Sequence, residues 1–127
     1  MTFHLSTKSQ LKLATVHPDL KALAEAAIKV STVDFIITEG IRTLARQEEL
    51  LKAKATTTMN SRHLTGHAID VAAIVNNRAD WHPALYFHIA DAFFSQSAIL
   101  KTPIIWGGNF KTFKDYVHFE LDRKFYK

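Results

Sequence analysis

Hydrophobic and polar positions recur along the chain with two periods, and the changes between them mark the elements. In HPDLKALAEAAIKV, Leu20, Leu23, Ala24, Ala27 and Ile28 fall on one helical face, and Pro18 suits the first helical position. VDFIITEGIRT then brings Phe35, Ile36 and Ile37 together as a strand, with Gly40 marking a bend or bulge. TLARQEELLKAK returns to the helical period, with Thr43 as N-cap and Leu44, Gln47, Leu50 and Leu51 along one side; ATTTMNS breaks it. HAIDVAAIV reads as a strand and NNRADW as a turn. HPALYFHIADAFFSQSAIL is a third helix started by Pro83, with Tyr86, Ile89, Ala90 and Phe93 as its apolar stripe. TPIIWGG is a short strand, and DYVHFEL a last one that alternates Val117, Phe119 and Leu121 against His118 and Glu120. The order α-β-α-β-α-β-β predicts an α+β domain with helices packed on a small, mainly antiparallel sheet.

Composition narrows the class. The 127 residues are one domain's worth, and 47% hydrophobic with 22% charged residues is ordinary for a globular protein. No apolar run approaches the roughly 18 residues that span a bilayer. The first twenty residues lack the charged start, apolar block and small-residue cleavage site of a secretory signal, so the chain is expected to fold in a cytoplasm. With no cysteine, disulfides and thiolate sites are excluded, and a metal must rest on histidine and carboxylate. The net charge of +4 and pI near 9.4 are compatible with nucleic acid, an anionic membrane or an anionic wall polymer, but the basic residues are scattered with no run of three, which favours a solvated basic surface kept soluble by its charge.

The candidate chemistry lies in SRHLTGHAID, Ser61 to Asp70. Of the seven histidines, His4 lies near a fraying end, His17 and His82 precede prolines, and His88 sits within a helix without an acidic neighbour at metal-binding spacing. His63 and His67 share the spacing of a helical zincin pair, but Leu64 stands where the glutamate belongs and Gly66 argues against a helix. If Ala68 to Val75 is a strand, Asp70 points away from Ile69 and Val71, and Gly66 lets the preceding loop fold His63 back over it. His118, on the polar face of the last strand, offers a third ligand, giving a set that zinc accepts with one position left for water. The alternative is a structural His63–Asp70 hydrogen bond.

Three neighbours bear on that choice. Asp115, three residues before His118, suits a general base and acid beside a metal-activated water. Arg42, after a strand and a glycine, suits polarisation of a carbonyl and stabilisation of an oxyanion. Trp106, followed by two glycines, suits a pocket wall. Each also has a plain reading, as turn residue, surface ion pair and core aromatic.

GIRT, SRHLTGHAIDVA, WGG and DYVHFEL, in this order, resemble the zinc D-alanyl-D-alanine and L-alanyl-D-glutamate peptidases of the hedgehog/DD-peptidase fold. The family pattern S-x-H-x6-D, followed downstream by acid-x-x-H, is matched by Ser61, His63, Asp70, Asp115 and His118. LATVHPDL and the size without extra modules resemble most the phage endolysin branch. The resemblance implies one zinc per chain on His63, Asp70 and His118, with Asp115 as acid/base and Arg42 as oxyanion partner. It places Ser61 beside the substrate, and strand alternation aims His67 away from the metal. Residues 1–127 would form a single catalytic domain, acting as a monomer on bacterial peptidoglycan rather than on nucleic acid or within a membrane. Without a signal, such a lysin waits in the host cytoplasm until another protein opens the membrane to the wall. Where many relatives read WGGDW, this chain has Asn109 and Phe110, which bears on substrate preference. The alternatives are a D-Ala-D-Ala carboxypeptidase or dipeptidase, a zinc-holding module without turnover, and an iron oxygenase, whose His-x-Asp spacing is much tighter.

Overall fold

A computed structural model of the chain describes residues 2–55 and 61–127, so most of the expected break ATTTMNS lies outside the described residues. The sheet is built around β2, Ala68–Val75. On one side β2 pairs with β1, Asp34–Glu39. Its other edge is shared by β5, His118–Leu121, along the first half and β3, Arg78–Asp80, along the second. Beyond β5 lies β4, Ile104–Trp106, and every pairing is antiparallel.

Register divides the sheet into two chemical faces. Phe35 and Ile37 of β1, Ile69, Val71 and Ala73 of β2, Phe119 and Leu121 of β5 and Ile104 and Trp106 of β4 share one face and are buried. The helices α2, Pro18–Val30, and α4, Pro83–Leu100, cover it with the stripes their period predicts. Phe93 of α4 stacks on Phe119 with ring centroids 4.1 Å apart, a geometry worth about 0.5–1.5 kcal/mol beyond the area it buries. The alternate positions, Asp70, His118 and Glu120, share the opposite face.

The expected α+β class holds, with four differences in detail. A short helix α1, Thr7–Leu13, precedes the first expected one. Its residues are mostly polar and Leu11 is exposed, so it carries no apolar stripe; buried Ser9 instead accepts the Ile37 N–H at the sheet edge. NNRADW contains β3 as well as a turn: Asn76 and Asn77 both take positive φ, as a two-residue hairpin of type I′ requires. In α3, Leu44–Lys52, Thr43 caps the start as expected, but Leu44 and Leu51 are 59% and 39% exposed and Gln47 is the buried member of the stripe. Finally, β5 begins at His118, so Asp115 lies in the turn before the strand.

Candidate metal centre

Asp70 projects from β2 directly opposite His118 of β5, as their strand pairing requires. His63 reaches them from a 3-10 turn, Arg62–Thr65, whose N-cap is Ser61: its hydroxyl accepts the His63 N–H. The turn ends at Gly66 in the left-handed region, and the Gly66 carbonyl accepts the His17 N–H. The loop thus folds back over β2 as the glycine predicts.

Asp70 Oδ1 lies 3.1 Å from His63 Nε2 and 3.3 Å from His118 Nδ1, and one donor atom from each residue falls within 4.8 Å of the others. The outer nitrogens are also engaged. His63 Nδ1 is 3.0 Å from the Gly40 carbonyl, and His118 Nε2 is 2.9 Å from Glu120 Oε1. Each imidazole therefore stands between two groups that only accept hydrogen bonds, whereas a neutral imidazole has one N–H to give. Two extra protons, or one divalent cation between the inner nitrogens and Asp70, satisfy every acceptor. Tetrahedral zinc with bonds of about 2.0–2.2 Å holds its ligands roughly 3.4 Å apart, near the 3.1 and 3.3 Å that separate Asp70 Oδ1 from the two imidazole nitrogens.

Electrostatics agree with a site that holds positive charge. Burial disfavours a charged His118, yet hydrogen bonds to Asp70 and Glu120 outweigh it and push its pKa up to about 9. Burial likewise works against an ionised Asp70, but hydrogen bonds from His118 and His63 hold its carboxyl well below the usual range. Glu120 is also lowered, because its bonds to His118 outweigh desolvation.

Arg42 is fixed beside this group. Its Nε and Nη2 donate to the two oxygens of Glu39, Nη1 donates to Gln47 Oε1 at 2.8 Å and approaches Ser61 Oγ at 3.4 Å, and Nη2 lies 3.8 Å from Asp70 Oδ2. Glu39 faces Asp70 because β1 slips register between Ile37 and Glu39; the extra residue turns Glu39 onto the polar face. The guanidinium is 8% exposed, and its positive charge is favoured by Glu39, Asp70 and Asp115 against the cost of burial.

Asp115 lines the same cleft, which has a volume of about 640 Å³ and also contains Ser61, Arg42 and the three metal-donor residues. Its carboxyl is raised, first by withdrawal from water and then by the charge of Asp70. WGG contributes to its position through backbone. The Asp115 N–H donates to the Gly107 carbonyl at 2.9 Å, and a Cβ on Gly107 would overlap the Asp115 carbonyl. Trp106 is the expected site residue that the structure puts elsewhere. It is 3% exposed on the core face, against Phe87 and Phe119, because its strand register matches Phe119 rather than His118. Its Nε1–H donates to the Tyr116 carbonyl, which ties down the Asp115 turn. The aromatic wall of the cleft is Phe110, tilted against His118 at 6.0 Å. His67 points away, toward Thr65 and the ring of His17.

Sequence reasoning did not single out Glu39, Gln47 or the Gly40 carbonyl. Gln47 carried a signal, as the one polar residue in the expected apolar stripe of α3. Glu39 carried one in its place just before a glycine at a strand end, and a backbone carbonyl carries none.

Fold and donor set together define the molecule as an α+β domain with a metal-donor group on the open face of its antiparallel sheet. The chain belongs to the phage L-alanyl-D-glutamate peptidase family, whose model matches residues 1–127. The L-alanyl-D-glutamate peptidase of Escherichia phage T5 is 33% identical, over 99% of this chain and 94% of its own. Peptidoglycan L-alanyl-D-glutamate endopeptidase CwlK of Bacillus subtilis is 31% identical over 84% of this chain and 73% of its own. Among solved structures, Serratia marcescens L-Ala D-Glu endopeptidase ChiX is 38% identical and matches with a TM-score of 0.92, covering 99% of this chain and 93% of the other.

Proposed function

We propose that this peptidase is a zinc-dependent endopeptidase that cleaves the L-Ala–D-Glu bond of peptidoglycan stem peptides, as a phage or prophage endolysin. Residues 1–127 would be its single catalytic domain. The observation that carries the metal assignment is the pair of imidazoles, each held between acceptor-only groups with Asp70 in common. The bond assignment is supported by the family and by relatives of nearly the same length.

His63, Asp70 and His118 would hold the zinc. Gly40 and Glu120 fix the two imidazole rings so that Nε2 of one and Nδ1 of the other face inward. Bound zinc supplies Lewis acidity and an activated water at neutral pH. Asp115 accepts the proton of the attacking water, whose oxygen bonds to the L-Ala carbonyl carbon. As the C–N bond breaks, Asp115 returns that proton to the departing D-Glu nitrogen. Its raised pKa suits a group that both takes and gives a proton. Arg42 faces the carbonyl oxygen and stabilises the negative charge that gathers there; Glu39, Gln47 and Ser61 fix its direction before substrate arrives. Ser61 acts through this bond and through the cap on the His63 turn.

Peptidoglycan is the expected partner, reached from the host cytoplasm once the membrane is opened; no helix among the described residues is long and apolar enough to cross a membrane. Mass spectrometry of products from defined muropeptides tests the reaction. Zinc-loaded protein should release fragments that begin at D-Glu, and release of terminal D-Ala instead would overturn the bond assignment in favour of a carboxypeptidase.

A further inference from the structure

The charges of the cleft do not cancel evenly along its length. Asp115 and Phe110 precede β5, His118 and Glu120 lie on it, and Arg123 follows it, so the cleft runs from a carboxylate through the metal donors to a guanidinium. Arg62 belongs to the same end. The His67 N–H donates to the Arg62 carbonyl, and the Leu121 N–H donates to the His67 carbonyl, which brings the start of the 3-10 turn beside the end of β5.

Neither arginine is neutralised as Arg42 is. Arg62 gives one Nη2 bond to the Tyr126 carbonyl at 2.6 Å, its Nε is buried with no partner, and no carboxylate among the described residues pairs with it. Arg123 gives Nε to Glu120 Oε2 at 3.2 Å, while the other oxygen of Glu120 meets His118. The two terminal nitrogens of Arg123 have no partner among the described residues, and its side chain is 60% exposed. Both side chains line the cleft, and the terminal N–H groups of a guanidinium that no carboxylate has fully engaged match a carboxylate.

We infer that Arg62 and Arg123 form a carboxylate-binding subsite for the stem peptide. The assignment rests on the peptidoglycan reading above. When D-Glu is continued through its side-chain carboxyl, its α-carboxylate is free on the carbon that bears the departing nitrogen. A diamino acid at the next position brings a second free carboxylate. Either presents the same chemistry to the arginine pair.

The test is kcat/KM of zinc-loaded protein on three peptides: the free acid, the D-Glu α-amide and the amide of the third residue's carboxylate. Wild type should lose about tenfold or more on one amidation, the scale of a charged hydrogen bond, and the amide that causes the loss identifies the carboxylate. Arg123→Gln and, separately, Arg62→Gln should bring that ratio close to one, and Arg123→Lys should restore part of it. Because both substrates use the same metal centre, damage relayed through Glu120 to His118 lowers both rates and leaves the ratio in place. Equal rates on all three peptides in wild type, or an undiminished ratio in both glutamine variants, would overturn the subsite while leaving the proposed reaction intact. Failure to hydrolyse any of the peptides would overturn the reaction and the subsite together.

Discussion

One oxygen, Asp70 Oδ1, lies within reach of both inner imidazole nitrogens, and the demands on it are the residue-scale argument for a cation. Two consequences are measurable. With its pKa pushed up to about 9, His118 is protonated in the metal-free protein at neutral pH and must release that proton to bind zinc. Zinc affinity should therefore rise roughly tenfold per pH unit from about pH 6.5 toward 9, with proton release visible by calorimetry in buffers of different ionisation enthalpy. The stability of the metal-free protein runs the other way. A folded-state pKa above the unfolded 6.5 means that the His118 contribution is complete below pH 6.5 and is lost as pH rises through 9. The melting temperature should fall across that window unless zinc is present. Asp115 carries a separate prediction: Asp115→Asn should keep stoichiometric zinc yet lose about 10²–10⁴-fold in turnover, the range of a general acid–base group. An undiminished rate would remove Asp115 from the mechanism.

At the scale of elements, the site depends on places where a regular element stops. The 3-10 turn with its left-handed Gly66 delivers His63, the slip in β1 delivers Glu39, and the turn held by Gly107 delivers Asp115. Gly107→Ala should therefore retain zinc, because no metal donor moves with it, while turnover falls at least about tenfold as Asp115 is displaced, a loss of the order that follows from a small misplacement. Loss of zinc along with activity would place the fault in β5 itself. The same division explains what the sequence made legible. α2, β2 and α4 bury faces with the periods that the residues spell out, and β2 carries Asp70 to the polar side by its register. Short α1 and β3 lack an apolar face of their own and were not readable as such, although Asn76–Asn77 marked the hairpin. Trp106 was legible as an aromatic before two glycines, but only the pairing of β4 with β5 decides that it faces the core.

For the whole molecule, one sheet separates two tasks. Its covered face unites Phe35, Ile69, Phe119 and Trp106 with the helices, and its other face keeps charged groups at close range. A rigid apolar layer beneath Asp70 and His118 supports the two strands and the loop that bring three donor atoms within 4.8 Å of one another. That His63, Asp70 and His118 meet was readable from SRHLTGHAID and DYVH. The bonds that orient them, from Gly40 and Glu120, depend on how loop and strands meet in space. The net charge of +4 accords with an anionic polymer as substrate without requiring it. The most direct test of the account is metal analysis of wild type and His118→Ala, purified side by side without added metal. The account predicts one zinc per wild-type chain and less than about a tenth of that in the variant, since losing one of three protein ligands opens the site. A full equivalent of zinc in His118→Ala, or stoichiometric iron in place of zinc in wild type, would contradict it.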